Sequence, residues 1–181
     1  GKNQLVGEAL VKKDFLTACS ILGIDADGRD YIGSIRKNVD RKMLVFYVNA
    51  YQSYLFNAVL ERYVEMKSKD TFKAEGFVFS NVKIENKKLP LIGFLSVIRD
   101  KEIKKLYDIV LRQENVKKED FLFPMMPEIS SEGNERNLIA DVDIDAKFES
   151  DDMNNGKLKA ILNFSLDKGA YATIVVKKML G

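Results

Sequence analysis

The sequence predicts an α+β fold on three observations. The first is a long helical pattern of apolar residues from Asp40 to about Lys67. The second is a change in the hydrophobic period from about 3.6 residues to about 2 near Asp141. The third is a composition of 46% hydrophobic and 31% charged residues over 181 positions, which is typical of a soluble globular protein. We therefore expect helices with a small sheet in the first two thirds of the chain, followed by a β-hairpin and a short helix.

The segment from Asp40 to about Lys67 is the longest periodic element. Its apolar residues recur every three or four positions and so share one helical face: Leu44, Val48, Tyr51, Leu55 and Val59. The Asp40 carboxylate can cap the first turn by accepting hydrogen bonds from unpaired amides. The middle of this helix also carries polar residues, among them Gln52 and Asn57. They either face water on a core helix or serve a function, and the pattern leaves both open.

Two shorter helices are predicted before it, over residues 6–13 and 14–22. Asp14 can cap the second helix and Gly23 can end it. The acidic run 25–30 resembles a calcium loop, but an EF-hand register puts Asp30 at the position of the turn glycine and Arg36 at that of the bidentate glutamate. A polar turn is the better interpretation.

The residue pattern in the middle of the chain predicts short secondary-structure elements. We expect strands over 77–79 and 82–84, a turn-bearing loop over 89–93, and an amphipathic helix over 100–113. The residues of this helix that face the core would be Ile103, Leu106, Ile109 and Val110. A short helix over 117–123 should end before Pro124. The polar run 130–134 is the best candidate for a domain boundary.

The last third alternates apolar and polar residues, which predicts strands with one solvated face over 141–148 and 159–166. Asn154-Asn155-Gly156 between them suits a tight hairpin turn, because Asn and Gly tolerate positive φ angles. The aspartates of the first strand are then solvent-facing positions rather than metal ligands. A short helix is predicted at the C-terminal end, with a strand as the alternative.

Composition excludes several functions. The chain has no histidine, so it holds no Ser-His or Cys-His catalytic arrangement and no histidine metal site. The single cysteine, Cys19, cannot form an internal disulfide, and no apolar run is long enough for a membrane helix. We therefore expect an intracellular, cytoplasmic protein without membrane contacts.

Charge is unevenly distributed. Residues 141–152 have a local charge of −5, which leaves +7 for the rest of a chain whose total is +2. Basic pairs recur along that remainder: Lys12-Lys13, Arg36-Lys37, Arg41-Lys42, Lys87-Lys88, Lys104-Lys105, Lys117-Lys118 and Lys177-Lys178. They either form a patch that neutralises phosphates or lie scattered on solvated helix faces.

Two segments carry a more specific signal. Residues 50–57, Ala-Tyr-Gln-Ser-Tyr-Leu-Phe-Asn, and residues 164–176, Phe-Ser-Leu-Asp-Lys-Gly-Ala-Tyr-Ala-Thr-Ile-Val-Val, resemble signature segments of the TruD family of tRNA pseudouridine synthases in its archaeal and eukaryotic style. Weaker matches occur in the family's order at 5–10, 89–93 and 136–139.

The resemblance implies an enzyme that isomerises a uridine in tRNA or another structured RNA to pseudouridine without a cofactor or a metal. Tyr171 matches an active-site aromatic residue of the family, which would stack on the displaced base. Lys168, Gly169 and Thr173 belong to the same turn and are implied neighbours of RNA. Gln52 and Asn57 match the helix motif, and either contact RNA or brace the fold.

The family's catalytic aspartate lies in a Gly-x-Lys-Asp loop, and no such loop occurs in this chain. We therefore expect residues 1–136 to be the family's RNA-facing insertion domain and residues 137–181 the last segment of its catalytic sheet domain. The nucleophile should lie upstream of Gly1, in a missing N-terminal half without which the chain would be inactive. Asp167, Ala170 and Lys177-Lys178 replace the family's usual proline, serine and Arg-Glu.

Two alternatives remain at this stage. One is a catalytically inactive RNA-binding module, which the altered residues near Tyr171 would fit. The other is an interaction or scaffold protein without an RNA role, which the small net charge of +2 would fit.

Overall fold

The computed structural model describes residues 1–26, 28–74, 77–139, 142–166 and 172–180. In these ranges the α-helices are α1 (Lys2–Val11), α2 (Phe15–Leu22), α3 (Tyr31–Asn38), α4 (Arg41–Lys67), α5 (Lys101–Gln113) and α6 (Ala172–Leu180). The strands are β1 (Thr71–Ala74), β2 (Phe77–Ser80), β3 (Lys88–Leu91), β4 (Asn134–Asn137), β5 (Ile144–Ser150) and β6 (Leu158–Phe164). They form three antiparallel pairs, β1–β2, β3–β4 and β5–β6. The predicted α+β class is confirmed.

Helix α4 runs through the core as predicted. The Asp40 carboxylate accepts a 2.7 Å hydrogen bond from the amide of Lys42, and all five residues of the predicted apolar stripe are buried. Helix α1 crosses α4 at Gly7, where a Cβ atom would lie 1.9 Å from the carbonyl oxygen of Tyr47. Only a glycine permits this close approach of the two backbones.

Helix α5 packs against α4 with Ile103, Leu106 and Val110 buried, as expected. The prediction for Ile109 is wrong, since its side chain is 44% exposed. Tyr107 is buried instead, and its hydroxyl donates to the carbonyl of Pro90. Two 3-10 turns follow, Lys118–Phe121 and Pro127–Ile129, the first within the predicted short helix.

The two helices predicted before α4 are confirmed, although α1 begins and ends earlier than the predicted range 6–13. Asp14 caps α2 through the amide of Thr17, and Gly23 ends it with a φ of 72°. Asp30 accepts a hydrogen bond from the amide of Gly33 and so begins α3, a helix that we did not predict. In the described ranges, which leave out Asp27, no cluster of three or more acidic or cysteine side chains is arranged for a metal ion.

The strand predicted over 77–79 is confirmed as β2, whereas the strand predicted over 82–84 is wrong. Strand β2 pairs with β1 instead, and the ring of Phe72 stacks on that of Phe79 at 5.2 Å between centroids. Ser80 Oγ accepts a hydrogen bond from the amide of Val82 and donates one to its carbonyl. These local bonds hold Val82 in a turn and take its backbone out of a ladder.

The predicted loop over 89–93 is also partly a strand. β3 pairs with β4, placing Leu89 opposite Arg136 and Pro90 opposite Glu135. Pro90 is tolerated because a two-stranded sheet leaves one side of each strand without ladder bonds. Leu89 is fully buried, so burial rather than local propensity determines this strand.

The predicted hairpin and C-terminal helix are confirmed. Ile144 pairs with Phe164 and Ser150 with Leu158, and Gly156 in the turn has a φ of 76°. The expected single solvated face is wrong: Phe148 is 67% and Leu158 73% exposed, so neither face of the hairpin is covered. No described helix has the length and apolarity needed to cross a membrane.

Candidate functional site

Helix α6 is held against the β1–β2 hairpin by lysines. Lys178 Nζ lies 4.6 Å from the ring centroid of Phe72 and donates a 2.8 Å hydrogen bond to the carbonyl of Ser80. Lys177 Nζ lies 5.1 Å from the ring centroid of Phe77. Cation–π contacts of this kind contribute about 0.5–1 kcal/mol each at exposed sites. Lys177 and Lys178 thus position α6 on this hairpin.

Thr173 lies in the first turn of α6 with its side chain exposed, where it can contact a ligand. The other three residues of the predicted turn, Lys168, Gly169 and Tyr171, lie outside the described residues, as do Asp167 and Ala170. The positions of these three therefore stay predictions, and α6 is the described element that adjoins them in the chain.

Gln52 lies inside the core rather than at the surface. Its side-chain amide donates hydrogen bonds to the carbonyl of Ile92 at 2.7 Å and to Ser131 Oγ at 2.8 Å. The loop at this point is tight, since a Cβ atom on Gly93 would lie 2.2 Å from the amide nitrogen of Gly133. This geometry favours the bracing alternative for Gln52, because both amide protons are used within the protein.

Asn57 has the opposite setting. It is exposed on α4, next to Phe56, which is buried beneath the guanidinium of Arg136 at 5.3 Å from the ring centroid. Within the described ranges, no hydrogen bond joins Asn57 to Gln52 or to Thr173.

A groove that the sequence did not indicate lies beside the end of α4. Its volume is about 260 Å³ and it is lined by Tyr63, Lys67, Lys83, Ile84, Glu85 and Lys87. Lys67 pairs with Glu102 at 2.8 Å and Lys87 with Asp100 at 2.9 Å. Donation by Lys87 and by the amides of Ile103 and Glu102 holds the pKa of Asp100 below its usual range. The paired charges leave this groove without a strong attraction for anions.

A larger open concavity of about 910 Å³ lies along the β5–β6 hairpin. It is bordered by Asp143, Ile144, Asp145 and residues 162–165. Phe148 and Leu158 lie on the same face of the hairpin and are both exposed, so this face presents an apolar surface to solvent. Such a surface usually marks an interface.

Comparison with known proteins identifies the family. The model of "tRNA pseudouridine synthase D (TruD)" matches residues 21–179. A Methanosarcina mazei protein named "Probable tRNA pseudouridine synthase D" is 29% identical over 185 residues, covering 86% of this chain and 42% of the relative. A Methanococcus maripaludis protein, "Probable tRNA pseudouridine synthase D 1", is 32% identical over 163 residues, covering 79% of this chain and 40% of the relative.

A solved structure has the same fold. The crystal structure of the Methanosarcina mazei TruD protein superposes with a TM-score of 0.72 at 22% identity, covering 97% of this chain and 56% of the other. The chain therefore spans about two fifths of the length of these curated relatives and just over half of the solved chain. Because the family model matches most of the sequence, the chain belongs to the TruD family of tRNA pseudouridine synthases.

Proposed function

We propose that this chain is part of an RNA pseudouridine synthase that isomerises a uridine in tRNA, with its nucleophilic aspartate supplied by an upstream N-terminal half. The observation that carries the proposal is the family match across residues 21–179, which includes both signature segments. The reaction replaces the bond between the sugar and a ring nitrogen by a bond to a ring carbon. It is an isomerisation, so it calls for no oxidant or reductant.

Tyr171 is the proposed base-stacking residue. A uridine must leave its stack to be isomerised, and an aromatic ring that receives the displaced base contributes about 1–3 kcal/mol. Lys168, Gly169 and Thr173 are proposed to contact the RNA around it. The exposure of Thr173 at the start of α6 and the lysine contacts that hold α6 on β1–β2 support this assignment.

The two α4 residues take different roles in this proposal. Gln52 braces α4 against the loops at Ile92 and Ser131, and so supports the RNA-facing surface indirectly. Asn57 is exposed and remains a proposed RNA contact.

We further propose that residues 1–136 form the insertion domain and residues 137–181 the last segment of the catalytic domain. The uncovered β5–β6 hairpin is the surface on which the N-terminal half would add its sheet, since unpaired edges and exposed apolar side chains favour strand addition. A tRNA substrate favours the cytoplasm as the compartment, or the nucleus in a eukaryote.

The test uses the complete gene product and a tRNA transcript, with pseudouridine measured by chemical labelling and primer extension. Tyr171→Ala should lower kcat/KM by about 5-fold to 150-fold, the equivalent of the stacking energy. Tyr171→Phe, the matched control, keeps the ring and should retain most of the activity. Equal activity of the wild type and Tyr171→Ala would refute the role of Tyr171.

The same preparation separates the enzyme from an inactive module. The enzyme requires a Gly-x-Lys-Asp segment upstream, and replacement of its aspartate by asparagine should abolish pseudouridine formation while tRNA binding persists. Salt-dependent tRNA binding without any pseudouridine from the wild type would instead identify an RNA-binding module.

A further inference from the structure

Four basic residues flank the junction between α3 and α4. Arg36 and Lys37 lie in the last turn of α3, and Arg41 and Lys42 in the first turn of α4. All four side chains are exposed, and they occupy a stretch of only seven residues. We refer to these four residues as the basic corner.

The charges of the basic corner are largely uncompensated. Arg36 lies 3.5 Å from Glu128, whereas Lys37, Arg41 and Lys42 have no carboxylate within 4.0 Å among the residues that the structure describes. Asp40 caps α4 through the amide of Lys42 and keeps its negative charge, so residues 36–42 carry four positive charges and one negative charge, a local charge of +3. By contrast, Lys67, Lys73 and Lys87 near the other end of α4 are all ion-paired. The corner is therefore a local concentration of positive charge facing solvent.

An exposed aromatic ring adjoins the corner. Phe46 follows Lys42 by four positions, so the two side chains lie on the same face of α4. Phe46 is 48% exposed, and its ring contacts that of Tyr47 at 6.1 Å between centroids. Cations beside an accessible ring form the combination that binds the backbone and an unpaired base of single-stranded or looped RNA.

The corner is remote from α6. Helix α4 has 27 residues, which makes it about 40 Å long, and the corner lies at its start. The β1–β2 hairpin that carries α6 is attached near the end of α4, where Lys73 pairs with Glu61 and Glu65. Only an RNA that extends over about 40 Å can contact both places.

We infer that the basic corner and Phe46 form a second RNA-contact surface that holds a structured RNA substrate at a distance from the modified uridine. The inference rests on the proposed function for the identity of the RNA. Arg36, Lys37, Arg41 and Lys42 neutralise phosphates, and Phe46 stacks on an unpaired base. Since these contacts are the same in the ground state and in the transition state, they lower KM without raising kcat.

The experiment compares two triple variants of the complete gene product. The test variant is Lys37→Gln, Arg41→Gln and Lys42→Gln. The control variant is Lys101→Gln, Lys105→Gln and Arg112→Gln, three exposed residues of α5 for which the described contacts likewise include no ion pair. Both remove the same charge, so a difference between them reports position rather than net charge. Affinity for full-length tRNA is measured over a range of salt concentrations, together with kcat and KM.

The test variant should bind tRNA at least tenfold more weakly than the control variant. Its plot of log affinity against log salt should be less steep by about 2, because three phosphate contacts each contribute about 0.7–0.9 to the slope. KM for full-length tRNA should rise with kcat unchanged. KM for a short stem-loop that contains the target uridine should stay the same, since the stem-loop does not extend to the corner.

A second pair of variants tests the contribution of the Phe46 ring. Phe46→Ala should weaken binding of full-length tRNA by about fivefold or more. Ile109→Ala, which removes an apolar side chain of similar exposure from α5, should leave binding unchanged.

The results separate the inference from the proposed function. Equal affinities and salt slopes for the two triple variants would overturn the second RNA surface even if the enzyme is active. Loss of binding confined to the corner variant in a protein that forms no pseudouridine would support the surface and refute the synthase. Equal losses for the short stem-loop and for full-length tRNA would refute the remote position of the contact.

Discussion

The side-chain amide of Gln52 donates a 2.7 Å hydrogen bond to the main-chain carbonyl of Ile92, a residue 40 positions away, from within the core. A second bond from the same nitrogen reaches Ser131 Oγ. One side chain of α4 thereby connects two loops that the helix would otherwise touch only through apolar contacts. A conspicuous polar residue of a signature segment thus has a structural explanation.

Replacement of Gln52 by Leu should lower the free energy of unfolding by about 1–3 kcal/mol, because the carbonyl of Ile92 loses its donor in a buried setting. Urea denaturation followed by circular dichroism measures the change. Asn57→Leu is the matched control on the exposed face of the same helix and should change stability by less than about 0.5 kcal/mol. An unchanged midpoint for Gln52→Leu with a loss of RNA affinity would instead assign Gln52 to the RNA surface.

Gly7→Ala should destabilise the crossing of α1 and α4. Its Cβ would lie 1.9 Å from the carbonyl oxygen of Tyr47, so the helices must move apart, which typically costs about 1–3 kcal/mol. Thermal unfolding is the measurement. Ser20→Ala, at an exposed position of α2, is the control and should not lower the unfolding temperature. A Gly7→Ala variant as stable as the wild type would contradict the close packing.

Lys178→Met should loosen α6. The substitution removes two cation–π contacts and the hydrogen bond to Ser80, together about 1.5–3.5 kcal/mol. Amides of residues 174–180 should exchange with deuterium at least tenfold faster, as read by mass spectrometry. Lys157→Met, in the turn between β5 and β6, should leave exchange in α6 unchanged. Equal protection of α6 in both variants would show that other contacts hold the helix.

Asp100 should make stability depend on pH in the acid range. Its pKa is lowered in the folded protein by the hydrogen bond from Lys87 and by the amides of Ile103 and Glu102. The folded state therefore holds this proton less tightly than the unfolded state. The stability gained is present above the ordinary carboxyl pKa and is lost as the pH falls through the lower, folded pKa.

Asp100→Asn separates the charge from the cap, because asparagine also caps helices. Its stability deficit against the wild type should shrink as the pH is lowered from about 7 to about 2.5, measured by urea denaturation. Asp100→Ala also loses the cap, and its free energy of unfolding at neutral pH should be about 1 kcal/mol lower than that of Asp100→Asn. A deficit of Asp100→Asn that stays constant with pH would refute the charge effect.

Local patterns predicted the elements that local forces determine. Helix α4 followed from its apolar stripe and the Asp40 cap, and the β5–β6 hairpin followed from its period of two and its Asn-Gly turn. The β3–β4 sheet could not be predicted in this way, because it joins residues 88 and 137, whose contact depends on burial of Leu89 in the assembled core. The strand expected at 82–84 failed because Ser80 bonds locally to Val82.

The sequence motif predicted which residues belong to the candidate site, but not how the fold positions them. The motif placed Thr173 in a turn, whereas the structure has it in the first turn of α6. The motif also did not indicate that Lys178 holds this helix on the aromatic pair Phe72 and Phe79. It also treated Gln52 and Asn57 alike, although one is buried and the other exposed. The basic corner appeared in the sequence as two ordinary basic pairs, and its significance comes from three side chains that have no carboxylate within 4.0 Å among the described residues.

The hairpin with both faces uncovered is also the later part of the chain to be synthesised. About 15–35 residues separate Ile129, the last buried residue of the core, from β5 and β6, so at about 5–20 residues per second the ribosome completes the strands roughly 1–7 seconds after the core. Helices and short hairpins form within microseconds. The helical core thus has ample time to fold before the two strands emerge from the ribosome.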